Sequence, residues 1–288
     1  MELGEQSGIN SIIAARSAHE LREFEKRDAY LAATESRTTG DATMRLMAQT
    51  KFNLDQHQPQ SALNALKELR ETGVKNHVGA LLLELKAQQQ SCNWDSVLDI
   101  VSQLEKRGAI DVTAAAHMRQ QAWLEKIRTQ ENDAYALQIV WKSMPGEFRL
   151  RARIAAAAAR AFIHLGDCAT ARQLLSDSLE AQWDSELVTL YGDCQSSNCQ
   201  PGDVVAQIQQ AEHWLKQHTH DAGLLLALGK LCLHQQLWGK AQSYLEASIS
   251  VAPSRAAYTA LGKLAEKLDK HDLAFKHFQQ AMELDQEH

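Results

Sequence analysis

The chain has 288 residues, 44% hydrophobic, 6% aromatic and 23% charged, with 14 Gly, 4 Pro and a formal net charge of -6. So few prolines and strand-favouring aromatics, beside abundant Ala, Leu, Gln and Glu, argue against a collagenous, disordered or all-β chain and point to an all-α protein. The mild acidity carries no sign of the basic excess that marks a nucleic-acid-binding surface.

The five cysteines, Cys92, Cys168, Cys194, Cys199 and Cys232, are odd in number and scattered through a chain too long to need staples. They fit a reducing compartment and no disulfide framework. The first ten residues carry Glu2 and Glu5 but no Lys or Arg, and the longest apolar run, Ile154 to Ala159, has six residues. Neither a secretory signal nor a span of ~18 apolar residues is read.

Helix pairs recur along the chain. The first carries Ala14-Ala15, Ala18, Phe24 and Leu31; the second has Leu46, Thr50, Ala62 and Leu66, with Pro59 placed to open its second helix. Leu81, Leu85, Trp94, Val97 and Val101 mark the third, and an irregular pair over 112–144 ends at the turn dipeptide Pro145-Gly146. Ala155, Ala158-Ala159, Phe162, Gly166-Asp167, Ala171 and Leu175 follow, then a second irregular pair over 185–220 containing Pro201-Gly202. The clearest repeats are 222–254 and 255–288. Leu225, Leu228-Gly229, Cys232, Ala241, Leu245 and Pro253 stand at the offsets of the tetratricopeptide pattern W-x2-L-G-x2-Y, A-x3-F and P. Tyr258, Leu261-Gly262, Ala265, Ala274, Phe278 and Ala281 repeat them 33 residues later.

This pattern predicts an all-α fold, a right-handed superhelical solenoid of about eight tetratricopeptide-like helix pairs occupying 1–288 as a single unit, with no Gly-, Ser- or Pro-rich linker. Antiparallel helices need small residues where their backbones cross, so Gly229 is expected against Ala241 and Gly262 against Ala274.

Four stretches go beyond the generic repeat: Trp94-Asp95-Ser96-Val97-Leu98-Asp99-Ile100, Gln121-Ala122-Trp123-Leu124, Leu187-Val188-Thr189-Leu190-Tyr191-Gly192, and Leu237-Trp238-Gly239-Lys240-Ala241 running on to Pro253. They resemble the HemY family of proteobacterial inner-membrane tetratricopeptide proteins associated with haem synthesis, which is unrelated to the flavin-dependent protoporphyrinogen oxidase of the same name. The resemblance implies a non-catalytic scaffold for enzymes of late protohaem synthesis, its repeats facing the cytoplasm. The two N-terminal membrane helices of that family have no counterpart here, so the expectation is a soluble repeat region cut from a membrane-anchored protein.

In such an array the first helix of each pair lines the concave groove. The place directly after the crossing residue is Arg16, Lys51, Lys86, Arg160, Lys230 and Lys263 in the six recognisable pairs, and Arg119, 33 residues after Lys86, extends the series. Lys and Arg supply only 30 of the 288 residues, so an unbroken basic series at one repeat position exceeds what composition predicts. Two readings stand. One is an electropositive ladder for an acidic peptide, a terminal carboxylate or an anionic tetrapyrrole; the other is a solvated face suited to long side chains with aliphatic stems.

Cys194-x4-Cys199-x13-His213-x4-His218 has the ligand order of a zinc site. His213 and His218, five apart on a helix, do not share a face, so free thiols and surface imidazoles are the preferred reading and no metal or cofactor is assigned. His164 and His234 are placed near Arg160 and Lys230, where a tetrapyrrole would meet them, although no C-x-x-C-H motif occurs. G-x-G-x-x-G, P-loop, G-x-S-x-G and H-E-x-x-H signatures are absent, so no enzyme is read. Asp167 and Asp193 are expected as helix-end caps and the six tryptophans as interhelix packing. A third expectation is pairing of the end helices with another copy, because no capping helix follows the last repeat.

Overall fold

The computed structural model describes residues 2–34, 39–73, 77–194 and 201–286, and among these there is no strand. The chain divides into two compact units, Met1–Trp123 and Leu124–His288. The first holds the pairs α1 (Glu2–Glu20) with α2 (Phe24–Ala33), α3 (Thr39–Asp55) with α4 (Pro59–Glu71), and α5 (Val78–Gln90) with α6 (Trp94–Lys106). α7 (Val112–Thr129) carries the boundary within it. The second unit holds α8 (Ala134–Ser143), the single turn α9 (Gly146–Arg149), α10 (Ala152–His164) with α11 (Cys168–Ala181), α12 (Ser185–Asp193), α13 (Pro201–Leu215), α14 (Ala222–His234) with α15 (Trp238–Val251), and α16 (Arg255–Lys267) with α17 (His271–Gln286).

Within the first unit α1 packs on α3 and α3 on α5; within the second α10 packs on α12, α12 on α14 and α14 on α16. First helices of successive pairs therefore lie side by side, and each also packs against the second helix of its own pair. The second helices present a single apolar stripe to this layer. In α6 it is Val97, Ile100, Val101 and Leu104, which bury themselves against Leu81 and Leu85 of α5 and against Ala115 and Ala122 of α7. Residues at i, i+3, i+4 and i+7 share one helix face, and each such side chain contributes about 1.5–3 kcal/mol on burial.

The turns within pairs are made alike at six places. Arg22, His57, Cys92, Gly166, Gln236 and Asp269 all have positive φ, between 54° and 78°. Each lies six residues after one of the basic positions, and each is followed by a residue whose amide donates back to the sixth-to-first carbonyl, as Glu23 does to Ala18 at 2.8 Å, Asn93 to Gln88 at 2.9 Å and Lys270 to Ala265 at 2.9 Å. The second bond of the motif recurs as well, from Arg22 to His19 at 3.0 Å and from Gln236 to Leu233 at 3.2 Å. These are left-handed C-terminal caps that satisfy two orphan carbonyls per helix. Only Gly166 is the residue that enters this conformation freely; elsewhere a side chain is held there against about 1–2 kcal/mol of steric resistance.

The crossings differ from the expected contacts. Space for a Cβ at Gly229 is taken by Leu245, whose Cδ2 would lie 2.5 Å away, and at Gly262 by the Phe278 ring, also at 2.5 Å. Ala241 and Ala274 are buried but are not the nearest partners. The large residue four positions later covers the glycine, because a side chain on a helix leans toward the N-terminus over the preceding turn. The backbones also approach closely between pairs, where a Cβ on Gly192 of α12 would stand 2.6 Å from the Ala227 Cα of α14.

α12 and α14 are joined further by Asp221. Its carboxylate accepts the Leu224 amide at 2.9 Å as the N-cap of α14, the Trp183 indole N–H at 2.8 Å and the Ser185 hydroxyl. Trp183 stacks on His218 at 3.7 Å and meets Trp214 edge-on at 5.9 Å. Burial pushes the Asp221 carboxyl up, but the hydrogen bonds from Ser185, Trp183 and the amides of Leu224 and Gly223 together outweigh it and hold the group below the ordinary value of 3.8. A depressed carboxyl contributes stability that is present above the unfolded-state value and is lost as pH falls through the folded one.

Two consequences are measurable by urea denaturation. Asp221→Asn lowers stability at pH 7, and the gap from the parent narrows as pH falls below about 4. Cys92→Gly stabilises by about 1 kcal/mol, whereas Gly166→Ala destabilises by a similar amount, because the two changes relieve and impose the same left-handed strain.

Candidate functional site

The basic series is sorted by the fold into two grooves and two internal ion pairs. In the first unit Arg16 of α1, Lys51 of α3 and Lys86 of α5 line one groove of about 600 Å³. They stand 35 residues apart, each exposed and each directly after a buried residue, Ala15, Thr50 or Leu85. Among the described residues none of the three makes an ion pair and no acidic side chain lines the groove. Its remaining lining is apolar, including Ile12, Met44, Met47, Phe52, Leu82 and Leu83. Arg119 does not share it: its guanidinium pairs with Glu105 and lies 3.4 Å from the Ser102 hydroxyl.

In the second unit Lys230 of α14 and Lys263 of α16 line a groove of about 920 Å³ together with Asp193, His234, Trp238, Arg255 and Lys267. Lys230 Nζ donates to Asp193 Oδ1 at 2.6 Å, so the ladder is partly neutralised here. That bond also corrects the role expected of Asp193, which ends α12 and binds Lys230 instead of capping a helix; Asp167 does cap α11, accepting the Thr170 amide at 3.1 Å. Arg160 is exposed and paired with Glu186.

His234 lies in the second groove beside Lys230, whereas His164 is exposed on α10. Trp123 and Trp214 are interhelix packing, but Trp238 helps to wall the groove. Of the zinc-like constellation, Cys199 lies outside the described residues. Cys194 is buried with its thiol toward the Leu190 carbonyl at 3.4 Å, His213 is exposed and His218 lies flat on Trp183. Among the described residues no three His, Cys, Asp or Glu side chains gather to hold a metal ion. The Cys232 thiol behind the second groove is pushed up to about 11 by burial, with Lys240 opposing and Glu212 adding to the shift. A thiol in that state is protonated at neutral pH and a poor nucleophile.

Reasoning from the sequence missed the apolar floor of the first groove. Its signal was present: Ile12, Met47 and Leu82 each stand four residues before Arg16, Lys51 and Lys86, on the same helix face. The equivalents before Lys230 and Lys263 are Leu226, which is buried, and Thr259. Arg255 and Lys267 of the second groove fall outside the repeat position and carry no such signal.

No protein-family profile matches the chain. It is 23% identical over 277 residues to the protein HemY of Escherichia coli strain K12, covering 94% of this chain and 67% of that protein, and the HemY of Shigella flexneri matches equally. The chain is thus similar in sequence to HemY over most of its length. Solved structures of similar shape include a tetratricopeptide repeat protein from Parabacteroides merdae, with 15% identity, 84% of this chain, 93% of that one and a TM-score of 0.43. A second is the APC/C hetero-tetramer Cut9-Hcn1, with 16% identity, 87% of this chain, 47% of that one and a TM-score of 0.40. At such scores the helix-pair architecture rests on the repeated turns and packing described above. Among the described residues no helix is long and apolar enough to cross a membrane.

Proposed function

We propose that the chain is a non-catalytic scaffold that holds protein partners by acidic segments laid into basic grooves on its first helices. The observation that carries this reading is the groove of the first unit, where Arg16, Lys51 and Lys86 from three successive first helices face one space that, among the described residues, is lined by no carboxylate. Like-signed side chains gathered without a counter-charge raise the local potential and draw an anionic partner, with screening by salt. Lys230 and Lys263 offer a second basic surface, partly neutralised by Asp193. Arg119 in the first unit and Arg160 in the second contribute only by exchanging Glu105 or Glu186 for a carboxylate of the partner. The likeness to HemY supports placing this activity among enzymes of late protohaem synthesis, at the cytoplasmic face of the bacterial inner membrane, with the protein held there by a membrane anchor.

A second reading is favoured by the lining of the other groove: His234 and Trp238 beside Lys230 and Lys263 would suit an anionic tetrapyrrole, the ammonium groups meeting its carboxylates and the imidazole its iron. A saturable Soret shift lost in His234→Ala supports that cargo; a flat titration removes it.

The principal test compares the parent with the Lys51→Glu, Lys86→Glu double variant in a pull-down from cytoplasmic plus membrane extract. A haem-pathway enzyme retained by the parent is lost by the variant, and its affinity at low salt falls on the order of tenfold. Unchanged affinity would sink the proposal.

A further inference from the structure

Resting on that scaffold reading, we infer that the groove of the first unit takes an amphipathic α-helix from a partner protein, its apolar stripe on the floor and its acidic flank along Arg16, Lys51 and Lys86. Three observations carry this beyond simple capture of negative charge. The first is the floor. Ile13, Met44 and Leu82 are 58%, 37% and 43% exposed at the mouth of a groove otherwise walled by the half-buried Ile12, Met47 and Leu83. That is far more apolar surface than an acidic coil needs, and methionine suits a surface that must adapt to an incoming side chain.

The second is the backbone of the walls. α1, α3 and α5 contribute helix faces, whose amides and carbonyls are engaged in their own ladders. An extended peptide laid on such walls would find no edge to pair with and would bury its own unsatisfied amides against Ile12, Met47 and Leu82. A helix brings its backbone already satisfied and presents side chains only.

The third is the arrangement of charge. One cation stands four residues after one apolar side chain on each of three adjacent helices, giving an apolar row, Ile12, Met47 and Leu82, beside a basic row, Arg16, Lys51 and Lys86. The complement of two adjacent rows is a helix with an apolar stripe at i, i+4, i+7 and i+11 and Glu or Asp along one neighbouring edge. The second-unit groove lacks the apolar row, since Leu226 is buried there and Thr259 is polar.

The experiment uses the full chain and fluorescence anisotropy of labelled 20-residue peptides. The probe carries Leu in the stripe and Glu on one flank; one control has a central proline, and another has the same composition with the stripe scrambled. The probe binds saturably to the parent, whereas both controls bind at least tenfold more weakly. Leu82→Gln and Met44→Gln, both surface changes that leave the circular dichroism unaltered, weaken the probe by a similar factor without affecting the scrambled peptide. Lys51→Glu weakens every acidic peptide.

Equal binding of probe and scrambled control overturns the helix while leaving acidic capture standing. Indifference of all peptides to Lys51→Glu brings down both readings. Sedimentation velocity without peptide covers one further occupant, because α17 leaves Phe275 and Met282 71% and 67% exposed. Self-association abolished by Lys86→Glu would assign the groove to a second copy of the chain and overturn the partner helix.

Discussion

The left-handed cap that ends the first helix of six pairs is the constraint on which the rest of the arrangement depends. It reverses the chain within three residues and fixes the rotation at which the first helix stops, and it does so at the same distance, six residues, from every recognisable basic position. With rotation fixed at the end of each helix, any given register points the same way in neighbouring pairs of one unit. Arg16, Lys51 and Lys86 share a groove for this reason, as do Lys230 and Lys263. The cap is maintained even where Arg22, His57, Cys92, Gln236 and Asp269 must occupy a conformation that disfavours a side chain. The two hydrogen bonds recovered per turn, each about 0.5–1.5 kcal/mol, together with the packing the reversal permits, offset that resistance.

Once the register is common, the chemistry of each groove follows from which residues share a face with the cation. In the first unit the neighbour four residues earlier is Ile12, Met47 or Leu82, so a basic row borders an apolar one. In the second unit that neighbour is buried or polar, and Asp193 reaches from α12 to Lys230. The same repeat position therefore yields a predominantly apolar groove with a charged edge in one unit and a more highly charged, mixed one in the other. Groove volume separates them poorly; the counter-charge and the floor separate them well.

Much of this was legible in the sequence, and the reasons for the gaps are physical. Helix pairs, the last two repeats and the basic series could be read because each is local and periodic. The turns could be placed at Gly166 but not at Cys92 or Gln236, since a side chain forced into the left-handed region by its surroundings leaves no compositional mark. The crossings were misread because offsets say which positions are small without saying what leans over them; Leu245 and Phe278 do so by the direction in which helical side chains point. Ion pairs such as Arg160 with Glu186 and Lys230 with Asp193 join residues in different pairs, at separations no repeat rule selects. The apolar row of the first groove was readable all along at four residues before each cation, and was overlooked because apolar residues on a helix are read first as core.

Net charge is the feature that guides least. A chain at -6 would be assigned a weakly acidic surface, yet its carboxylates are distributed to tasks that leave selected cations without a partner. Asp133, Asp167, Asp184 and Asp221 cap helices by accepting amide N–H groups. Glu84, Glu105, Glu186 and Glu212 are held by Arg70, Arg119, Arg160 and Lys240. Each acid so engaged is one fewer to neutralise the first-unit groove, whose lining contains none among the described residues. A helix layer keeps such a groove open because its walls satisfy their own backbones and need no side chain from across the space. Its potential then depends on three cations and the salt around them, and in the proposed scaffold charge would govern how fast a partner arrives and the apolar row beside it which partner stays.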